Sequence, residues 1–281
     1  MKKLLILGLF LFVGGLVGNA ILYATGNDAI LNTKDYKKTE TFSSSEFDNI
    51  FINSKEHGAD INIVTTDSNE VKVVMEGKIP VGVKEKSSLE SRVFNNTLFI
   101  EPISFFNSKR NQIKFNINGD LKMNIYIPNK VFDDFSIQSQ VGRINVQDIN
   151  VNMLKIDSET GRITVNRVTA QDSVITSHVG KIELYELSGN VNSSTNTGAI
   201  ELRTKELSKV TRLKTDVGEI EVHLLKLPSD LKIDANTDIG SIDISIPGLD
   251  EKSENRSLTK TIGNGSNQLI LETSTGSISV Q

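Results

Sequence analysis

The stretch SETGRITVNRV, residues 158–168, decides how this chain is read. Nineteen residues earlier stands SQVGRINVQDI, and nineteen later SHVGKIELYEL. Seven such units are marked by Gly142, Gly161, Gly180, Gly198, Gly218, Gly240 and Gly276, with gaps of 19, 19, 18, 20, 22 and 36 residues. Self-similarity at a period near 20 signals a repeat architecture. Two residues after the glycines come Ile144, Ile163, Ile182, Ile200, Ile220, Ile242 and Ile278, and four after come Val, Leu or Ile. Polar residues separate these two positions, so each segment alternates with period two and reads as a half-buried strand. Ser or Thr stands three before every glycine, from Ser139 to Thr273. The residue five before is apolar in five units and small at Ser193 and Ala235, which marks a second strand leading into the glycine.

Each unit is therefore strand, glycine corner, strand. Glycine suits a bend that needs positive φ. Two architectures accommodate such units: coils of a β-solenoid with equivalent residues stacked about 4.8 Å apart, or hairpins of an antiparallel meander or sandwich. The Ser/Thr column favours stacking, because hydroxyls can form a ladder between coils. Hairpin loops prefer Asn-Gly or Asp-Gly, whereas Val, Thr or Ile precedes the glycines here. The fold class expected is all-β, a single-stranded β-helix-like β-solenoid of about 19-residue repeats preceded by an N-terminal transmembrane helix. One coil cannot bury its own apolar face, so each copy forms the core of the next.

Working outward, residues 49–136 also alternate, less regularly, and are expected to cap the regular solenoid of 137–281. Asn95-Asn96 is a hairpin turn by composition. SKEHGADINIV (54–64) resembles a unit with its spacing off by one after Gly58. The polar run 247–268 is an insertion that accounts for the longest gap. At the other end, Lys2 and Lys3 precede an apolar run over residues 4–23. A run of that length can span a bilayer, and the lysines would stay cytoplasmic. Residues 1–26 are expected to be a membrane anchor, giving a single-pass protein with its C-terminal domain extracytoplasmic. The alternative is a signal peptide cleaved near Ala20, where Gly18-Asn19-Ala20 offers small residues, followed by secretion. Residues 27–48 read as a polar tether.

The 281 residues include no Cys and carry a net charge of −4. That excludes disulfides, thiolate metal sites and a Cys nucleophile, and offers no basic field for nucleic acid. The three histidines, His57, His178 and His223, fall in different registers and form no catalytic or metal motif. No catalytic residue and no cofactor are predicted. The outward columns carry the one chemical pattern. After the glycine come Arg143, Arg162 and Lys181; three after the glycine come Glu183, Glu201, Glu221 and Asp243. Four carboxylates one strand apart repel by about 1 kcal/mol per neighbouring pair even in water. They are a solvated charged face or, as weak metal candidates, a cation site. The basic trio could meet an anionic wall polymer or lipid.

The run LKMNIYIPNKVFDDFSIQSQVGRINV (121–146), followed by S/T-x-x-G-x-I-x-V/L units, resembles the bacterial putative-adhesin β-strand-repeat family over residues 48–281. With the N-terminal run, it is similar to membrane-anchored members associated with cell-envelope stress in Gram-positive bacteria. The resemblance implies an exported, non-enzymatic β-repeat module in contact with an envelope polymer or a membrane protein, and brings no catalytic residues. Two rival functions follow: a regulatory or sensor partner of a membrane stress-response system, and a wall-glycan enzyme using the acidic column as β-helix enzymes do.

Overall fold

A computed structural model of the protein describes residues 33–281 apart from 56–57, 81–88, 103–120, 208, 227, 248–250 and 254–255. The anchor or signal peptide expected over residues 1–26, and His57, lie outside the described residues. No helix among the described residues is long and apolar enough to cross a membrane.

The units align as their sequences do. Strand Asn150–Thr160 pairs in parallel with Val131–Val141 on one side and Ile163–Val179 on the other, so that Ile137, Ile156 and Ile175 share one line. Beyond the glycine corners a second line runs through Ile144, Ile163, Ile182, Ile200 and Ile220. Period-two alternation drives both: in Ile200–Thr204 the apolar side chains of Ile200 and Leu202 point inward, as do Ile220 and Val222 one level on. Every isoleucine two places after a corner glycine is at most 1% exposed. Burying such a side chain contributes roughly 1.5–3 kcal/mol.

The corner needs glycine for a reason beyond bending. A Cβ on Gly180 would lie 1.8 Å from the carbonyl oxygen of Gly161, the equivalent residue one level below, and φ there is +151°. The carbonyl of each corner fills the space a side chain on the next would need. Gly142 instead faces the carbonyl of Ala59. Ala59, not Gly58, therefore holds the corner position in the first unit, which removes the one-residue mismatch in the SKEHGADINIV reading.

The gap of 18 residues is also explained. Thr169 pairs with Ser188 and Asp172 with Asn190, so Ala170 and Gln171 face the single residue Gly189, a β-bulge. Three successive units end, six places after the corner, on a left-handed residue that is not glycine: Asp148, Arg167 and Glu186 have φ of 58°, 51° and 50°.

The expected β-solenoid behind a transmembrane helix is corrected by the topology. The 21 strands of the described residues form one hydrogen-bonded sheet. It curls as a nearly closed, barrel-like wall of eleven strands through 303° round an axis. A solenoid requires successive windings in chain order, and that order breaks at both ends. Gln268–Thr275 lies between Val210–Val217 and Leu231–Ile239, and Ile278–Val280 lies between Ile220–Leu224 and Ile242–Ile244. Likewise Asn49–Ser54 lies between Thr97–Pro102 and Val131–Val141, and Asp60–Thr66 between Lys122–Pro128 and Ile144–Gln147. Side-chain pattern sets which strands match, and a long enough connection lets a later unit reach an inner slot.

Antiparallel strands flank these inserted units. Glu70–Pro80 pairs with both Lys122–Pro128 and Thr33–Ser43, so part of the segment read as a tether is a strand. Asn95 and Asn96, at φ 47° and 60°, close the hairpin Leu89–Phe94/Thr97–Pro102. The polar insertion supplies Glu251–Ser253 and Ser257–Ile262, which run antiparallel to Ile242–Ile244 and Leu231–Ile239. At the leading end Lys130 Nζ donates to the carbonyls of Ser44 and Phe47, both at 2.7 Å, and sits 4.8 Å from the Phe132 ring centroid.

The inward hydroxyl column does not form the expected ladder. Thr195, Thr215 and Thr273 donate instead to the carbonyls of Gly180, Gly198 and Gly218. The buried hydroxyls of Ser139, Ser158 and Ser177 have no hydrogen-bond partner. The threonine Cγ methyl fixes χ1, so its hydroxyl is held toward the neighbouring corner; serine is not so constrained.

Candidate functional site

The outward residues after the corners make one charged flank. Parallel pairing without slip places Thr164, Glu183, Glu201 and Glu221 in one file. The next member is not Asp243. Ser279 pairs with Glu221 on one side and Asp243 on the other, so the inserted strand splits the fourth carboxylate from the three.

Two of those three are engaged by cations. Lys181 Nζ lies 2.6 Å from Glu201 and 3.1 Å from Glu183. Arg203 reaches Glu201 at 2.5 Å and Arg162 reaches Glu183 at 3.2 Å, while Thr164 donates to Glu183 at 3.1 Å. Burial alone would raise the Glu201 pKa; hydrogen bonds from Lys181 and Arg203 outweigh it and hold the carboxyl below its usual range. The Glu201 hydrogen bond holds Lys181 above its ordinary value. The repulsion expected along the file is offset by the column beside it. Glu221 has the weaker partner His223 at 3.8 Å, whose Nδ1 meets the Gln281 amide at 2.9 Å. Among the described residues no group of three or more His, Cys, Asp or Glu is placed to hold a metal ion. His178 stands in a different strand stretch from His223, on the approach to Gly180.

The basic end of the flank is open. Lys122, Arg143 and Arg162 line a polar groove of about 330 Å³ with Asp60, Asn62, Asn145 and Thr164. Its floor follows from register: Asn62 lies beside Asn124 and Asn145, and the Asn62 amide donates to Asn124 at 3.0 Å. Asp60 accepts from Arg143 through Nε at 3.2 Å, Nη2 at 2.8 Å and the backbone N–H at 2.9 Å. Burial raises the Asp60 pKa, and the Arg143 bonds more than reverse it. The lining thus holds three cations and one carboxylate, with Arg162 shared with Glu183 and the Arg143 side chain 73% exposed. Such a site suits an anion with several acceptor oxygens. Among the described residues that line it there is no activated nucleophile and no paired acid and base.

The sequence brought Arg143 and Arg162 to this place. It did not reveal Asp60 or Lys122, which lie 83 and 21 positions before Arg143 and reach the groove only through the inserted strand Asp60–Thr66.

A family model described as Toastrack DUF4097 matches residues 47–281. Among solved structures, a putative cell adhesion protein from Clostridium sporogenes is 14% identical with a TM-score of 0.43, the alignment covering 88% of this chain and 99% of that one. A putative adhesin from Bacteroides fragilis is 15% identical with a TM-score of 0.45, covering 87% and 97%. None of the curated proteins matches the chain.

Proposed function

The chain belongs to the Toastrack DUF4097 family, and on that premise we propose that it is a non-enzymatic, extracytoplasmic binding module of the bacterial cell envelope. Export is supported by the apolar run 4–23 behind Lys2 and Lys3. The observation that carries the binding role is the groove lined by Lys122, Arg143 and Arg162, in which Asp60 is the one carboxylate among the described lining residues and Arg162 is shared with Glu183. Its occupant is an anionic polymer of the envelope, such as a polyol phosphate chain. Against the wall-glycan enzyme stands the state of Glu183 and Glu201, whose oxygens are taken up by Arg162, Lys181 and Arg203. The finer reading is a LiaG-like role in envelope stress, as adhesin or as partner of a membrane stress-response protein.

The test is retention of the full chain, purified in mild detergent, on immobilised polyglycerol phosphate across a salt gradient. The triple variant K122Q/R143Q/R162Q is expected to elute at markedly lower salt, measured at a temperature where circular dichroism shows variant and native chain both folded. Equal retention of variant and native chain would remove the groove as the binding surface.

A further inference from the structure

One exposed column of the wall takes no part in the charged flank. It consists of the residues immediately before the corner glycines. Val141, Val179, Val217 and Ile239 are 38%, 49%, 51% and 66% exposed. Thr160, Thr197 and Thr275 are exposed between them. In chain order the pattern breaks, because Ile239 follows Val217 directly. In space it does not. The inserted strand places Thr275 against Val217 on one side and Ile239 on the other. With Val141 beside Thr160, Thr160 beside Val179 and Val179 beside Thr197, the column alternates aliphatic and hydroxyl through all seven levels.

Scattered exposed apolar residues need no explanation. A file of them at every second level is different, because its ligand must repeat at the same interval. Neighbouring strands lie about 4.8 Å apart, so an aliphatic side chain recurs every ~9.6 Å along the file. That is close to the length of one disaccharide in an extended β-1,4-linked glycan, whose sugars turn over at each linkage and show the same face at every second ring. Sugar faces are apolar and their edges carry hydroxyls, so valine under a ring and threonine beside an edge match that chemistry. The ridge is one side chain wide and is flanked by the polar, exposed His178, Asn196 and Asp216. A folded protein partner needs about 800 Å² on each side, and a single file of side chains does not present it.

We propose that this ridge is a track for one extended β-1,4-linked polysaccharide strand, with rings on Val141, Val179, Val217 and Ile239. The proposal rests on the ridge alone and is independent of the basic groove.

The experiment titrates the full chain in detergent with β-1,4-linked N-acetylglucosamine oligomers, a disaccharide and a hexasaccharide, by calorimetry. The hexasaccharide spans several levels and is expected to bind at least about tenfold more tightly than the disaccharide, as linked contacts do. The variant V179K/V217K changes exposed positions and is expected to keep its melting temperature and lose the preference for length. Equal affinity of the two oligomers, absence of binding, or a length preference unchanged in the variant each overturns the proposal. Self-association of the native chain that the same variant abolishes would assign the ridge to a second copy, and overturns it as well. Should the lysine variant fail to fold, the comparison of oligomers on the native chain still decides.

Discussion

Replacing Gly180 with alanine tests the stacking directly. The new Cβ would stand 1.8 Å from the Gly161 carbonyl oxygen and 2.7 Å from its carbon. Both neighbours are backbone, so no side chain can swing aside. The φ of +151° lies where residues other than glycine pay about 1–3 kcal/mol. Relieving the contact means parting two levels, which stretches Gly161 N–H to Val179 O at 2.9 Å and Ile163 N–H to Lys181 O at 3.0 Å. Each such bond contributes about 0.5–1.5 kcal/mol net. The sum is about 2–6 kcal/mol, a large part of the roughly 5–15 kcal/mol that holds a domain folded. Ala59 supplies the control. It occupies the same corner position opposite Gly142 with a side chain already in place and without positive φ. Ala59→Gly should cost no more than about 1 kcal/mol. Equilibrium urea unfolding reads both. If Gly180→Ala shifted the midpoint no further than Ala59→Gly, the corner carbonyls would not be what excludes a side chain, and the account of the repeat would fail.

Three further expectations follow from the same columns. Ile182→Ala, at a fully buried position, should lose about 2–5 kcal/mol, while Ile239→Ala on the exposed ridge should stay within ~0.5 kcal/mol by the same denaturation. Ser158→Ala should be neutral or stabilising, since the buried hydroxyl has no partner, whereas Thr215→Val should cost about 1 kcal/mol through its lost bond to the Gly198 carbonyl; a reversed order would reject the asymmetry of the column. Glu201 has a folded pKa below its unfolded value, so its contribution is present above the unfolded pKa near ~4.3 and falls away as pH drops through the folded pKa. Thermal melts from pH 6 downward should show a shallower acid decline for Glu201→Gln than for the native chain.

How far these columns could be read in advance depends on what fixes each. Units whose spacing stays at 18–20 residues lie in parallel because one periodic pattern determines both inward faces and their register. The Glu183–Lys181–Glu201 cluster was legible for the same reason: both charged columns are counted from the glycines. Asp60 and Lys122 were not, because their approach to Arg143 depends on which slot the first unit enters. The hydroxyl ladder failed for a local reason, since position alone says nothing of χ1, and Thr195 and Ser177 behave differently at equivalent places. Lys130, held by carbonyls 83 and 86 residues away, leaves no periodic trace at all.

The insertions at the two ends are the feature that repetition conceals and the one with most consequence. In a stack built in chain order each repeat meets only its sequence neighbours, and the terminal repeats are left with an unpaired edge. Here Gln268 pairs with Val210 and Lys232, 58 and 36 positions earlier in the chain. The edge thus left to Leu231–Ile239 and Ile242–Ile244 is covered by antiparallel strands whose polar residues come from the insertion. The unit Asn49–Thr66 does the same at the other end, under Glu70–Pro80 and the hairpin at Asn95-Asn96. The two insertions together nearly close the wall: the last unit parts Asp243 from the acidic file and sets Thr275 between Val217 and Ile239, and the first brings Asp60 to Arg143. The basic groove and the alternating ridge are products of the strand order in space, and a change that returned the last unit to its place in sequence would set Ile239 beside Val217 and Asp243 beside Glu221 without altering a single corner glycine.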